Sequence, residues 1–166
     1  MRDELSPWVA RGLYLFGLAL MLHASIDLFS TVWPMRWTEL AWRYGFLGLA
    51  AGYLQTPTLG LLFIAGTAIW QDDARVVRAV GVVFMVCAVI LLGIIGVFGL
   101  DVLAMRDLRA PEARSGVLVG GVLQEVKYSV ATVVFVLLGH GFSKTAKRMA
   151  SAAARVTKKH GIVSTG

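Results

Sequence analysis

Two residues of the first apolar segment, His23 and Asp27, have the types and the spacing of a cofactor site. Residues four apart share one face of a helix, so the Asp27 carboxylate can accept a hydrogen bond from the His23 imidazole. A carboxylate that orients a histidine is a common partner of metal-ligating histidines. His23 is therefore a candidate ligand of a single pigment or haem, oriented by Asp27. The simpler interpretation, which we favour, is a structural histidine that is satisfied by its own aspartate or by a neighbouring helix.

Four further polar residues interrupt apolar segments and form what we call the polar cluster: Gln55, Asp101, Glu125 and Lys127. Polar residues at membrane depth usually serve a function. Glu125 and Lys127 are two apart and point to different faces of a helix, so they are not a ready-made ion pair. We expect Lys127 to meet Asp27 or Asp101 across the bundle, or both Glu125 and Lys127 to lie in the headgroup region.

No pattern typical of an enzyme occurs in the sequence. It contains no GxSxG, HExxH, CxxC or P-loop motif, and no GxGxxG that opens a helix after a strand. Cys87 lies among valines and alanines, where a thiol behaves as a small apolar group. The sequence predicts a protein that is not an enzyme, has no metal site and requires no cofactor.

The composition indicates a membrane protein. The chain has 166 residues, of which 57% are hydrophobic and 16% charged, and its mean hydropathy is +0.72. A soluble domain carries about 25% charged residues and about 45–50% apolar ones. The single cysteine excludes a disulfide framework.

Four uncharged or nearly uncharged segments are long enough to cross the roughly 30 Å hydrocarbon core of a membrane. We expect spans at about 8–29, 46–70, 77–100 and 117–142. The second is interrupted near Pro57, and either a kinked helix or an interfacial helix followed by a short span would explain it; we favour the kink. The predicted fold is thus an all-α integral membrane protein, a bundle of four transmembrane helices.

Lysine and arginine are more frequent on the side that holds both termini, so both are predicted to be cytoplasmic. The spans form a domain over 1–144, and 145–166 is a basic cytoplasmic tail that carries most of the net charge of +6. Anionic lipid explains such a tail, so we expect no nucleic acid as a partner. Trp33, Trp37, Trp42 and Tyr44 fit an interfacial aromatic belt. The predicted location is the cytoplasmic or an intracytoplasmic membrane.

Glycines recur at spacings that favour close approach of helices in membranes. These predicted packing glycines are Gly48, Gly52, Gly93, Gly96 and Gly99. The pattern does not distinguish a neighbour within the chain from another subunit, although packing within the bundle is the simpler interpretation.

Two resemblances follow from short motifs. Ala19 and His23 have a spacing similar to the small-residue–histidine arrangement of light-harvesting helices, which implies bacteriochlorophyll binding. Pro34 and Trp37 ahead of the run TPTLGLLF, with its Pro57, Leu59, Gly60 and Leu61, resemble the HpsJ-like multispan membrane family over about 33–106. That resemblance implies a role near polysaccharide secretion or photosynthetic membranes and no catalytic residue.

These observations favour a non-catalytic accessory or scaffold subunit that packs against other membrane proteins in a larger complex, photosynthetic or respiratory. One alternative is a protein that binds a ligand, pigment or haem, or transports a solute. It would use the polar residues that the predicted topology places towards the extracytoplasmic half of the spans, which are His23, Asp27 and the polar cluster. Another is an assembly or secretion factor.

Overall fold

The computed structural model describes the backbone of residues 6–163 and the side chains of residues 6–155. Over this range the chain forms the helices α1 (Pro7–Val32), α2 (Leu40–Tyr53), α3 (Gln55–Trp70), α4 (Ala74–Leu108) and α5 (Pro111–Val163). Since α2 and α3 form one continuous segment, the described residues contain four helices that are long and apolar enough to cross a membrane. This confirms the prediction of an all-helical chain with four helices of membrane-spanning length and composition. The side of the membrane on which the termini lie stays a prediction.

The helix ends follow local sequence signals. Pro7 opens α1, a position where its missing N–H is not needed. The side chain of Asp73 caps α4 by accepting hydrogen bonds from the backbone N–H groups of Arg75 and Val76, at 3.0 and 3.2 Å. Arg109 is extended after the end of α4, and α5 begins at Pro111.

The second span is a kinked helix, as favoured from the sequence, but the interruption lies at Leu54 rather than at Pro57. Pro57 has no N–H to donate to the carbonyl four residues earlier, which weakens the helix one turn before the proline. Thr58 restores the next turn, because its hydroxyl donates to the Leu54 carbonyl at 2.6 Å and its N–H donates to the same oxygen at 3.3 Å.

The bundle consists of two closely packed pairs, α1 with α3 and α4 with α5, while α2 packs against α4 and α5. Each pair meets at two glycines. A Cβ on Gly17 would lie 2.7 Å from the Gly60 carbonyl oxygen, and a Cβ on Gly139 would lie 3.0 Å from the Gly81 carbonyl oxygen. Glycine is required at these crossings because a side chain would separate the helices.

The hydrophobic core lies along α4. Its most completely buried large side chains are Phe84 and Phe98, together with Tyr128 of α5. Less than a third of the most apolar stretch of each span is buried within the chain. The remaining surface is rich in exposed Leu, Val and Ile, as a helix in contact with lipid or with another membrane protein must be.

Two ends of the bundle differ in composition. One end carries residues 33–39 and the α4–α5 turn, and we call it the tryptophan face. The opposite end carries Arg75, Arg78, Lys144 and Lys147, and we call it the basic face.

The last helix is longer than a membrane is thick. At about 1.5 Å per residue, α5 is about 80 Å long, well beyond the hydrocarbon thickness. Within the predicted tail, residues 145–163 continue α5 as one helix, and residues 164–166 lie outside the described range.

Candidate functional site

The main polar contact between helices is an ion pair near the tryptophan face. Arg43 of α2 donates from Nε to Oδ2 of Asp101 at 3.0 Å and from Nη2 to Oδ1 at 2.7 Å. Its Nη1 donates to the backbone carbonyl of Trp37 at 3.0 Å. The Asp101 side chain is only 6% exposed, and the Arg43 side chain is 30% exposed. Two parallel, charge-assisted hydrogen bonds fix the rotation of α2 relative to α4.

Aromatic side chains form the next layer of this contact. Tyr44 stacks on Phe98 with ring centroids 5.5 Å apart, and its hydroxyl donates to the carbonyl of Val117 at 3.3 Å. Tyr128 meets the edge of Phe98, and its hydroxyl donates to the carbonyl of Leu47. Tyr44 therefore lies inside the bundle rather than in the interfacial belt predicted for it. A hydroxyl that is hydrogen-bonded to the neighbouring helix explains how tyrosine is tolerated there.

The other predicted belt residues lie at the tryptophan face. Trp37 and Trp42 meet edge to face with centroids 4.9 Å apart, and Trp42 stacks on Phe46. The indole N–H of Trp42 donates to the carbonyl of Val32 at 3.3 Å, which ties the start of α2 to the end of α1. Trp33 is exposed. Such amphipathic rings suit the headgroup level of a membrane.

The structure does not bring the predicted polar cluster together at one place. Asp101 binds Arg43, so the expected pairing of Lys127 with Asp101 is wrong. Glu125 faces α4, where its Oε1 would be 3.2 Å from a Cβ on Gly99. That oxygen is buried and has no hydrogen-bond partner among the described residues. Lys127 and Gln55 are exposed.

Gln55 and Lys127 nevertheless share one feature, since both line a cleft of about 580 Å³ between the α2–α3 segment and α5. The other lining residues are apolar, except Thr58, and include Ala51, Val130 and Phe135. The size lies within the range of small-molecule sites, and so does the pattern of a few polar groups among apolar ones. We call this the lateral cleft.

His23 and Asp27 occupy the exposed surface of α1. Their side chains are 73% and 49% exposed, and His23 Nε2 lies 3.6 Å from Asp27 Oδ2. This distance is too long for a good hydrogen bond. Between residues 6 and 155 the structure places no group of three His, Cys, Asp or Glu side chains where they could hold a metal ion. A ligand of His23 would have to bind on the outside of the bundle.

Most predicted packing glycines face outward. Positions for a Cβ on Gly48, Gly52, Gly93 and Gly96 have no other described atom within 4 Å, whereas Gly99 meets Glu125. The close contacts within the chain are made by Gly17, Gly60, Gly81, Gly121 and Gly139 instead. These five glycines lack a repeated spacing on one face, because each serves a single crossing between two helices.

Arg43 is the site residue that the sequence does not reveal. It lies in a tryptophan-rich stretch, where an interfacial arginine is ordinary, and its partner is 58 positions away. The available signal is Asp101 itself, a carboxylate at the end of a 22-residue uncharged run, which requires a cation nearby if it is buried.

Comparison with known proteins gives no further assignment, since no protein-family model, no curated protein and no solved structure matches this chain. The resemblance to the HpsJ-like family stays a prediction.

Proposed function

We propose that the chain is a non-catalytic accessory or scaffold subunit that packs against other membrane proteins in a larger complex. The observation that carries the proposal is the outward position of Gly48 and Gly52 on α2 and of Gly93 and Gly96 on α4, each with open space where a side chain would be. We call these four positions the outer glycines.

A glycine inside a helix is unfavourable unless a contact compensates for it. Glycine is about 1 kcal/mol less favourable than alanine there. At Gly17 and Gly60 the close crossing of α1 and α3 compensates for that cost. The outer glycines have no compensating contact among the described residues. A helix of another subunit that approaches the backbone closely would supply it.

Two further features suit a subunit of this kind. The Arg43–Asp101 pair holds α2 against α4, so the outer surfaces of these helices are presented in a fixed arrangement. The basic face has Lys144, Lys147 and Arg148 on α5, and anionic lipid or an acidic protein surface would bind there. Among complexes with small multi-pass subunits, we would examine photosynthetic and respiratory complexes first.

The direct test is extraction of the affinity-tagged, full-length protein from its native membrane in mild detergent, followed by mass spectrometry of what co-purifies. A defined set of stoichiometric membrane proteins is the expected result. A homogeneous small species without another protein would contradict the proposal. Substoichiometric, transient association would instead favour the assembly or secretion factor.

Substitutions then locate the contact. Gly96→Leu adds a side chain at an outer glycine and should reduce co-purification several-fold. Gly12→Leu is the matched control, because Gly12 is also exposed, with open space for a Cβ, but lies on α1. Equal effects of the two substitutions, or none from Gly96→Leu, would exclude this surface as the interface.

The specific observation that favours ligand binding at α1 is the accessibility of His23. A pigment or haem ligated there would lie between α1 and a neighbouring subunit, with Asp27 as a weak partner of the imidazole. The absorption spectrum of the native-membrane preparation tests this: a Soret or bacteriochlorophyll band that disappears in His23→Ala supports it. A spectrum without pigment or haem contradicts it.

A further inference from the structure

We infer that the lateral cleft binds one anionic phospholipid, with its phosphate at Lys127 and Gln55 and an acyl chain along α5. The inference is independent of the proposed scaffold role, because the outer glycines do not line this cleft.

The kink at Leu54 creates the cleft. Before the kink, α2 packs against α4 and α5, and after it α3 packs mainly against α1 and α4. The chain therefore moves away from α5 at the level of Thr58 and Leu59, which leaves a wedge of space between the two segments. The buried Ala51 and Phe135 form its floor.

One wall suits a hydrocarbon chain. Val126, Val130 and Val134 lie one helical turn apart along α5 and form a continuous apolar stripe. Leu54 and Leu59 face this stripe across the cleft. Small or branched side chains on both sides leave a groove whose direction follows the helix axis, and hence the membrane normal, as an acyl chain does.

The polar groups determine the class of ligand. The Lys127 ammonium has no carboxylate partner in the part of the chain whose side chains are described. Side chains on a helix point toward its N-terminus, and α5 begins at the tryptophan face, so the ammonium extends toward the headgroup level. Gln55 adds an amide donor on the opposite wall. An unpaired cation beside an apolar groove is complementary to a phosphate attached to an acyl chain.

The first experiment measures headgroup selectivity. Purified full-length protein in mild detergent is incubated with equal amounts of phosphatidylglycerol and phosphatidylcholine with identical acyl chains, and the retained lipids are quantified by mass spectrometry. We expect about fivefold preference for phosphatidylglycerol, the effect of one lysine on an anionic lipid. Lys127→Met should reduce the ratio to about one, and Lys127→Arg should retain it.

The second experiment locates the chain. A phosphatidylglycerol with a photoreactive acyl chain should label residues on both walls of the lateral cleft. Val130→Trp fills the groove and should abolish this labelling, whereas Val133→Trp is the matched control. The two valines are exposed to similar extents, 57% and 59%, but Val133 lies outside the cleft.

Four results would overturn the inference. Three of them concern the lipid: equal retention of both lipids by the unsubstituted protein, unchanged selectivity in Lys127→Met, and labelling spread evenly around the bundle. The fourth is stoichiometric cross-linking of a second protein through Lys127 with no lipid retained. Helical circular dichroism and a single size-exclusion peak establish that each variant is folded, and if Val130→Trp fails this check, Val130→Phe replaces it.

Discussion

The guanidinium group of Arg43 and the carboxylate of Asp101 form a two-bond ion pair that joins α2 to α4 across 58 positions of the sequence. It lies directly beside the aromatic layer of Tyr44 and Phe98. The pair is strongly directional, and the hydroxyl groups of Tyr44 and Tyr128 add single hydrogen bonds between α2 and α5. Together these contacts fix the rotation of α2, and with it the surface on which Gly48 and Gly52 face outward.

Removal of one partner of the Arg43–Asp101 pair should lower the free energy of unfolding. We expect Asp101→Asn to lower the free energy of unfolding by about 3 kcal/mol, the lower end for a broken buried pair. The lower end applies because the Arg43 side chain, at 30% exposure, can partly rehydrate. Unfolding in mixed micelles, followed by helical circular dichroism, measures the change.

A double variant separates the pair itself from the unpaired charge. Arg43→Met combined with Asp101→Leu should recover most of the lost stability, because apolar residues replace a buried pair well. The exposed pair of Arg106 with Asp107, at 2.8 Å, provides the control: Asp107→Asn should change stability by no more than about 0.5 kcal/mol. Similar losses in Asp101→Asn and Asp107→Asn would refute the clamping role.

The crossing of α1 and α3 depends on Gly60. Gly60→Ala would place a Cβ 2.5 Å from the Gly17 carbonyl oxygen, so the two backbones must separate. We expect a loss of about 1–3 kcal/mol in the free energy of unfolding, as for other overpacked cores. Gly66→Ala on the same helix, where a Cβ meets no other described atom within 4 Å, should be neutral or stabilising by up to about 1 kcal/mol. If both variants behave alike, the close crossing is not what requires glycine at position 60.

The sequence predicts the number and position of the spans because the signal is local. Uncharged runs long enough for a membrane are bounded by charges, and the helices cover all four predicted segments. The kink is local as well, since Pro57 removes a backbone donor. Its position at Leu54 follows from the hydrogen bond that the proline cannot make to the preceding turn.

The arrangement between helices is not predictable in the same way. The ion pair of Arg43 with Asp101 and the crossing of Gly17 with Gly60 depend on how distant segments meet, and no spacing in the sequence encodes that. The predicted glycines show the same limitation. Their regular spacing identifies a helix face with small residues, but not whether that face turns inward or outward. Gln55 and Lys127 line the same cleft although 72 positions separate them in the sequence.

The hydroxyl of Tyr128 should contribute to the stability of the bundle. Its side chain is fully buried, and the hydroxyl donates to the carbonyl of Leu47 on α2. We expect Tyr128→Phe to lower the free energy of unfolding by about 1 kcal/mol, the net value of such a hydrogen bond. Tyr53→Phe should have no measurable effect, because that hydroxyl has no hydrogen-bond partner among residues 6–155. A loss of equal size in both variants would mean that the hydrogen bond to Leu47 is not what stabilises the bundle.

The orientation of the bundle is tested by cysteine accessibility. Four spans put both ends of the chain on one side, and the excess of lysine and arginine there predicts that this side is the cytoplasm. Cys87, which lies within α4, is first replaced by alanine. In intact spheroplasts, an impermeant maleimide should then label Thr38→Cys at the tryptophan face, whereas Ser151→Cys on the basic extension of α5 should react only after lysis. The reverse pattern would place the basic face outside, and anionic lipid of the cytoplasmic leaflet could no longer be its partner.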